Sequence, residues 1–218
     1  MQSLHETETV RYEIFERNSL DQLANVVAKA FIQFDPMAIA QNLSVEEFAD
    51  YIKLLGEWIE QEQLTVIARD KSSDEIVGAV IAGDFASDSP LNPDSNDISA
   101  KFDPIVELIE ELETRYKKDQ QIKLGEYLHV YMLAVSPNHQ RKKIAQNLLQ
   151  VCLNNGVKKQ FNWAVTEAAN SVSQHIFGKL DFVPRYQISY QEFTHQGIRV
   201  FAKIKGHEGT ILMDKLLI

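Results

Sequence analysis

The stretch "LAVSPNHQRKKIAQNLLQ", from Leu133 to Gln150, changes its pattern in the middle. Its first residues alternate as a β-strand does, and its last residues repeat apolar side chains at the spacing of an α-helix. Between the two patterns lies a run of donors and positive charge with no acid beside it, made of Gln140, Arg141, Lys142 and Lys143. We therefore predict a strand that passes through a tight turn into a helix beginning at about Gln140.

This joint is suited to binding an anion. The first backbone N–H groups of a helix have no partner within the helix, and the helix dipole adds partial positive charge there. A pyrophosphate group fits such a helix start, and basic side chains attract further phosphate groups. The alternative is that the basic residues form an ordinary solvated face of the helix.

The composition limits the classes of protein to consider. With 218 residues, of which 44% are hydrophobic, the chain predicts one domain over residues 1–218 with a loop-plus-helix insertion at about 86–123. The 22 Lys and Arg against 31 Asp and Glu give a net charge of -9, so neither nucleic acid nor an anionic membrane is expected as a partner. The one cysteine, Cys152, lies on an apolar helical face and is expected in the core.

Two further classes of feature are missing from the sequence. We found no pattern typical of a signal peptide or a membrane span, so the protein is expected in the cytoplasm. No thiolate-rich cluster is present either, and no metal is expected. The sequence does not indicate the oligomeric state, and a homodimer is one alternative.

The first half of the chain reads as a strand, two helices and a hairpin. "TVRYEIF" (9–15) alternates as a strand, and a helix should follow it to about residue 34, with Ser19 and Gln22 as a capping box. A second capping box, Ser44 and Glu47, should open one long helix, and residues 64–85 should form a hairpin.

The second half begins with the insertion. Residues 86–101 are expected to form a long loop, and a helix should follow with Asp103 as N-cap and Pro104 at its first position. The helix of the opening stretch should end at Gly156. Strands are then predicted for "FNWAVTEA", "FVPRYQISYQEF" and "IRVFAKI", and a helix for "NSVSQHIFGKL". Strands and helices in this order predict a mixed α/β fold with helices on both faces of the sheet.

The register "VSPNHQRKKIAQNLL" resembles the acetyl-CoA-binding segment of the GNAT superfamily of N-acetyltransferases. The positions that match are Val135, Pro137, Gln140, Ile144, Ala145, Leu148 and Leu149. The family's glycine falls on Lys143, and this departure matters because glycine lets the backbone approach the pyrophosphate closely. Most contacts in such a turn use backbone N–H groups, which any residue except proline supplies.

The resemblance continues along the chain. "TEAANSVSQHIFGKLDF" is similar to the second CoA-binding element of the family, in which Asn170 matches an asparagine that contacts the pantetheine arm. Within the family, the sequence most resembles the arylalkylamine and dopamine-type N-acetyltransferases. The motif "FDPM", the acidic inserted helix and the aromatic tail carry this likeness.

The resemblance implies a fold, a cosubstrate and a set of binding residues. The fold is the GNAT fold, a mostly antiparallel sheet of six to seven strands, and the cosubstrate is acetyl-CoA. The acceptor is a primary amine of a small molecule. The residues expected to bind the cosubstrate are Leu133, Ala134, Val135, Gln140, Arg141, Lys142, Lys143, Ile144, Ala145, Asn170, Ser173 and Phe177.

Acyl transfer needs an amine that has lost its proton, and the resemblance offers two bases. Asp35 stands where the dopamine-type enzymes carry a catalytic glutamate, and its alternative role is only to end a helix before Pro36. His129 stands where serotonin-type enzymes carry a histidine, and its alternative is a buried structural role. Alternation predicts that one face of this strand carries His129, Tyr131, Leu133 and Val135. Backbone N–H groups near Leu133 to Val135 are expected to hold the thioester oxygen.

The CoA thiolate can leave either with the help of a hydrogen-bond donor or without one. Many family members place a tyrosine acid where this chain has Phe177, and Ser173 matches a serine of the dopamine-type enzymes. Ser173 is therefore a candidate donor, or a small residue that admits the pantetheine arm. The alternative for the whole chain is a CoA-binding module of the same fold with weak or lost catalysis. Nucleic-acid binding through "QRKK" is disfavoured because no aromatic residues are interleaved with the basic ones.

Overall fold

The computed structural model describes residues 3–87 and 98–218, and its centre is one mixed sheet. The strands are β1 (Ser3–Glu6), β2 (Val10–Ile14), β3 (Val66–Asp70), β4 (Ile76–Asp84), β5 (Tyr127–Val135), β6 (Trp163–Ala168), β7 (Val183–Ser189) and β8 (Gly209–Leu216). They follow the order β1-β2-β3-β4-β5-β6-β8-β7 in the sheet, and among these described strands only β5 and β6 pair in parallel. The predicted α/β class and the mostly antiparallel sheet are confirmed. The eight strands exceed the expected six to seven, because the polar segment at Ser3–Glu6 adds an edge strand.

Helices cover both faces of the sheet. They are α1 (Leu20–Phe34), α2 (Pro36–Ala40), α3 (Val45–Leu54), α4 (Gly56–Glu62), α5 (Asp103–Asp119), α6 (Ile144–Lys158) and α7 (Ser171–Gly178). On one face, α6 packs over β3, β4 and β5, and on the other face α1 packs over β4 and β5 while α5 packs over β7 and β8. In the described residues 3–87 and 98–218, no helix has the length and hydropathy to cross a membrane. Cys152 belongs to α6 and is fully buried, as predicted.

The two predicted capping boxes have different outcomes. Ser44 and Glu47 form theirs, with the Glu47 N–H donating to Ser44 Oγ at 3.1 Å and the Ser44 N–H donating to Glu47 Oε2 at 2.8 Å. The box at Ser19 and Gln22 is wrong, because both side chains accept hydrogen bonds from the guanidinium of Arg69. Arg69 is only 3% exposed, and a buried guanidinium needs hydrogen-bond acceptors from the protein. The first N–H groups of a helix can instead bond to water.

Several predicted boundaries change. The long helix expected after Ser44 breaks at Leu55, where Gly56 packs so closely on Leu20 that a Cβ would lie 2.6 Å from Leu20 Cδ2. At the insertion, a 3₁₀ turn over Ala100–Phe102 precedes α5, so Asp103 is its first residue and not the N-cap. Most of the long loop predicted at 86–101 lies outside the described residues.

The last predicted strand is also wrong. The segment "IRVFAKI" forms turns anchored by the buried ring of Phe201, while Ile198 is exposed. The final strand is β8, which lies between β6 and β7. β8 has a strand on each side, and residues on both of its faces are buried. Its apolar residues therefore do not alternate with polar ones as the prediction required.

Candidate functional site

A gap opens in the centre of the sheet where β5 separates from β6. The two strands pair only from Tyr127 to Val130 of β5, although β5 continues to Val135. The N–H of Ser136 donates to β4, and hydrogen-bonded pairs alternate in an antiparallel ladder. The backbone groups of Leu133 and Val135 therefore point toward β6, into the gap. This is the position at which the family resemblance implies N–H groups for a thioester oxygen.

A β-bulge at Tyr131 decides which side chains share a face of β5. Tyr131 is an extra residue in the register with β4. His129 and Tyr131 lie on the α1 and α5 side, with ring centroids 3.8 Å apart, whereas Leu133 and Val135 pack against the core under α6. The expectation that His129 shares a face with Leu133 and Val135 is wrong, because a bulge reverses the alternation beyond it.

The basic turn has a backbone that glycine would favour. Arg141 has a φ of 61° and Lys143 a φ of 60°, both in the left-handed region, while Lys142 between them does not have a positive φ. Such alternation turns successive N–H groups to one side and forms an anion-binding concavity. The helix α6 begins only at Ile144, after this turn, and Lys143 caps it without a side-chain hydrogen bond. The predicted start at Gln140 is therefore wrong, because the turn itself takes up four residues.

The second predicted binding element is a helix start held by its own side chains. Asn170 Oδ1 accepts from the N–H groups of Val172 at 3.0 Å and Ser173 at 2.9 Å. Ser173 Oγ donates to Asn170 O at 2.8 Å and accepts from the Asn170 N–H at 3.3 Å. Both side chains are thus engaged in fixing the first turn of α7, and this turn faces the gap.

One cleft of about 830 Å³ joins these features. It runs from the start of α6 along the gap between β5 and β6 to the end of α1. Every residue predicted to bind the cosubstrate lines this cleft except Lys142. The aromatic side chains of Phe31 and Phe34 line its other end, whereas Trp58 packs edge-on against Tyr131 at 5.1 Å behind the wall.

Asp35 lies at the α1 end of the cleft and caps a helix there. Its Oδ1 accepts from the N–H groups of Met37 at 3.0 Å and Ala38 at 2.8 Å, so Asp35 separates α1 from α2. Burial raises the pKa of Asp35 to about 6, even though both hydrogen bonds favour the charged form. The structural and the chemical interpretations of Asp35 are therefore compatible.

His129 is sealed from the cleft and reaches it only through another residue. Its side chain is 1% exposed, and its Nε2 lies 2.7 Å from Oε2 of Glu167, which lines the cleft. Burial is the largest single effect on the pKa of His129 and lowers it, but the charge and the hydrogen bond of Glu167, together with the charge of Glu113, outweigh burial and raise the pKa. Sequence reasoning missed Glu167, although an acid inside the predicted strand "FNWAVTEA" was a signal.

Glu113 of α5 approaches the same pair. The ligating atoms of Glu113, His129 and Glu167 all lie within 4.8 Å of one another. The Nε2 to Oε2 distance is that of a charge-assisted hydrogen bond, and the positive charge of Lys117 acts on both His129 and Glu167. The geometry is therefore that of an ion-pair network.

Phe177 lines the cleft as part of the core. Its ring is 3% exposed and packs edge-on against Phe182 with centroids 5.1 Å apart. It offers a packing surface and no proton, as the sequence indicates.

Known proteins are similar to this chain in sequence over one region and in fold over nearly the whole chain. Residues 107–202 match the family model described as an acetyltransferase (GNAT) domain. No curated protein gives a significant match to the chain. Many solved structures are similar to the chain at low sequence identity, and three of them illustrate the likeness.

The condensation domain at the C-terminus of Ebony, solved with beta-alanyl-dopamine, has a TM-score of 0.86 at 15% identity, over 95% of this chain and 98% of that one. Arylalkylamine N-acetyltransferase 2 from Aedes aegypti has a TM-score of 0.78 at 18% identity, over 96% and 99%. A polyamine N-acetyltransferase from Drosophila melanogaster has 0.77 at 16%, over 95% and 99%. Through residues 107–202 the chain is similar to the acetyltransferase (GNAT) domain family, and its fold is that of the arylalkylamine N-acetyltransferases.

Proposed function

We propose that the protein transfers an acetyl group from acetyl-CoA to a primary amine of a small molecule, by direct attack in a ternary complex. The observation that carries the proposal is the cleft itself. It joins an anion-binding turn at one end to a carboxylate among aromatic side chains at the other, and its middle is the gap beside β5.

The α6 end of the cleft suits the phosphates of CoA. The left-handed residues Arg141 and Lys143 and the free N–H groups at the start of α6 form the concavity, and both residues line the cleft there. The gap can then take the pantetheine arm between β5 and β6, beside Asn170. The arm is extended and carries amides, which match the unpaired backbone groups of a strand edge.

The α1 end of the cleft suits an amine with an apolar body. Phe31 and Phe34 offer apolar surface, and Phe34 is 41% exposed. A buried carboxylate beside them attracts a cationic group, since burial weakens the screening by water. Similar structures are named for arylalkylamines and polyamines, which are amines of this general kind.

The groups needed for the reaction can be assigned in this cleft. Asp35, and His129 acting through its partner, are the candidates for removing a proton from the amine. The backbone N–H groups of Leu133 and Val135 would hold the thioester oxygen. Ser173 would steady the leaving sulfur. No metal enters this scheme, and we place the reaction in the cytoplasm.

A CoA-binding module with weak catalysis is the second candidate. Lys143 replaces the glycine that lets phosphate approach closely, and Phe177 replaces the acid of many family members. The first departure does not change the backbone of the turn, because Lys143 adopts the left-handed conformation that glycine would adopt. This observation favours an active enzyme over the binding module.

Turnover against a panel of amines tests the proposal. We expect release of free CoA from acetyl-CoA with at least one arylalkylamine or polyamine, and the acetylated amine in equal amount by mass spectrometry. CoA binding by calorimetry without turnover of any amine would instead indicate the module.

A further inference from the structure

A second carboxylate that lines the cleft, Glu167, has a buried oxygen without a hydrogen-bond donor in the described residues. The Glu167 side chain is only 4% exposed, and its Oε2 is paired with His129. Its other oxygen, Oε1, is buried and accepts no hydrogen bond within residues 3–87 and 98–218. A buried carboxylate oxygen without a donor is costly, and a donor that enters from the cleft would remove the cost.

The surroundings hold Glu167 in place from behind. The Phe85 ring packs edge-on against His129 with centroids 4.8 Å apart, and Lys117 Nζ lies 4.2 Å from the centre of the Phe85 ring. Lys117 also pairs with Glu113 at 2.8 Å. The inserted helix α5 therefore closes the space behind His129, which cannot touch a ligand and can only orient its partner.

We propose that Glu167 is a catalytic residue that binds the ammonium group of the acceptor through Oε1 and takes its proton, with His129 as its positioning residue. This inference rests on the proposed function and names the group that acts on the amine. It assigns to Asp35 the separate task of shaping the α1 end of the cleft and adding negative potential there.

In the proposed reaction the amine nitrogen gains the acetyl group and loses two protons. One N–H bond of the ammonium breaks, its proton passes to Glu167, and the nitrogen keeps the electron pair. That pair forms a bond to the carbonyl carbon of the acetyl group, and the C–S bond breaks with its pair on sulfur. The nitrogen loses a second proton, the thiolate gains one, and the proton on Glu167 returns to water.

The charged groups around Glu167 suit this task. Burial raises the pKa of Glu167 toward the range in which a base works near neutrality, and Glu113 adds to the rise. His129 and Lys117 act in the opposite direction and keep the carboxylate available as a base. Tyr131, also beside His129, has a raised pKa because of burial and stays neutral.

The sharpest test compares two amines of nearly equal shape and different basicity. These are 2-phenylethylamine, which is protonated at pH 7, and 2,2-difluoro-2-phenylethylamine, which is much less basic. We expect Glu167→Gln to lower kcat/KM for the first amine about a hundredfold at pH 7, which is typical for loss of a general base. For the second amine the loss should stay within about fivefold, since much of it is already neutral.

This design carries its own controls. Full turnover of the difluoro amine shows that the variant folds and binds acetyl-CoA. Glu110→Gln removes an exposed acid of the same helix that carries Glu113, and should leave both rates unchanged. An equal loss for the two amines, or no loss for either, would overturn the role of Glu167 while the proposed function stands.

Binding separates this inference from the proposed function. If the wild type transfers acetyl to neither amine, the proposed function fails for arylalkylamines, and calorimetry of 2-phenylethylammonium in the presence of CoA decides the inference. Binding that Glu167→Gln weakens at least tenfold supports an ammonium site. Binding that the variant keeps, or none by the wild type, overturns it.

The role of His129 has a separate readout. His129→Gln removes a positive charge beside Glu167, so the acidic limb of kcat/KM should move upward by about one pH unit. A residue that only packs would lower the rate without moving that limb, and this result would remove His129 from the mechanism.

Discussion

Replacing Lys143 by glycine should make the protein more stable, although it removes a side chain. Lys143 has φ 60° and ψ 12°, and the left-handed conformation costs a non-glycine residue about 1–2 kcal/mol. Glycine avoids this cost but loses about 0.4–1 kcal/mol through the greater freedom of the unfolded chain. The net gain is about 0–1.6 kcal/mol, and its midpoint of about 0.8 kcal/mol raises Tm by about 2–3 °C for a chain of this length.

Two variants separate the backbone from the charge. Lys143→Ala removes the positive charge near the start of α6 but keeps the strained conformation, so its Tm should stay below that of Lys143→Gly. Lys142→Gly places glycine where φ is not positive, and should destabilise by about 0.5–1 kcal/mol. Thermal unfolding followed by circular dichroism measures all three variants under one set of conditions.

The same variant tests how the turn binds phosphate. If backbone N–H groups make the main contacts with the pyrophosphate, Lys143→Gly should bind dephospho-CoA, which lacks the 3′-phosphate, at least as tightly as the wild type in calorimetry. Should Lys143→Gly lose stability as Lys142→Gly does, Lys143 does not adopt the left-handed conformation in solution, and the comparison with the family's glycine fails.

Four other predictions follow from the cleft. Because burial raises the pKa of Asp35 to about 6, the stability that its protonation gives is full below about pH 4 and lost as pH rises through 6; Asp35→Asn should flatten the change of Tm across that range. Replacing Arg141, Lys142 and Lys143 together by alanine should weaken CoA more than dephospho-CoA in calorimetry, because the side chains serve the 3′-phosphate. Equal weakening would show that they do not. Ser173→Ala should lower the free energy of unfolding by about 1 kcal/mol, because it removes half of a capping box, and slow turnover about 2- to 13-fold in steady-state assays. Turnover should be unchanged after dialysis against EDTA, and a loss restored by added metal would contradict the metal-free scheme.

The sequence by itself determined the features that depend on neighbours along the chain. The strand, basic turn and helix around Lys143 were predicted in order, and so was the capping box at Ser44, because hydrogen bonds and backbone preferences over a few residues fix them. The residues expected to bind the cosubstrate line one cleft, except Lys142, because they sit on two such local elements.

Tertiary structure decided what depends on residues far apart. The bulge at Tyr131 arises from pairing with β4, and it reverses the faces that simple alternation predicted. Ser19 serves the buried guanidinium of Arg69, 50 residues away, instead of its own helix. His129 became a partner of Glu167, 38 residues away, when α5 closed over it. Burial sets which polar groups need partners, and the sequence shows burial only as a tendency of each segment, so these pairings appear only once the sheet and its helices are packed.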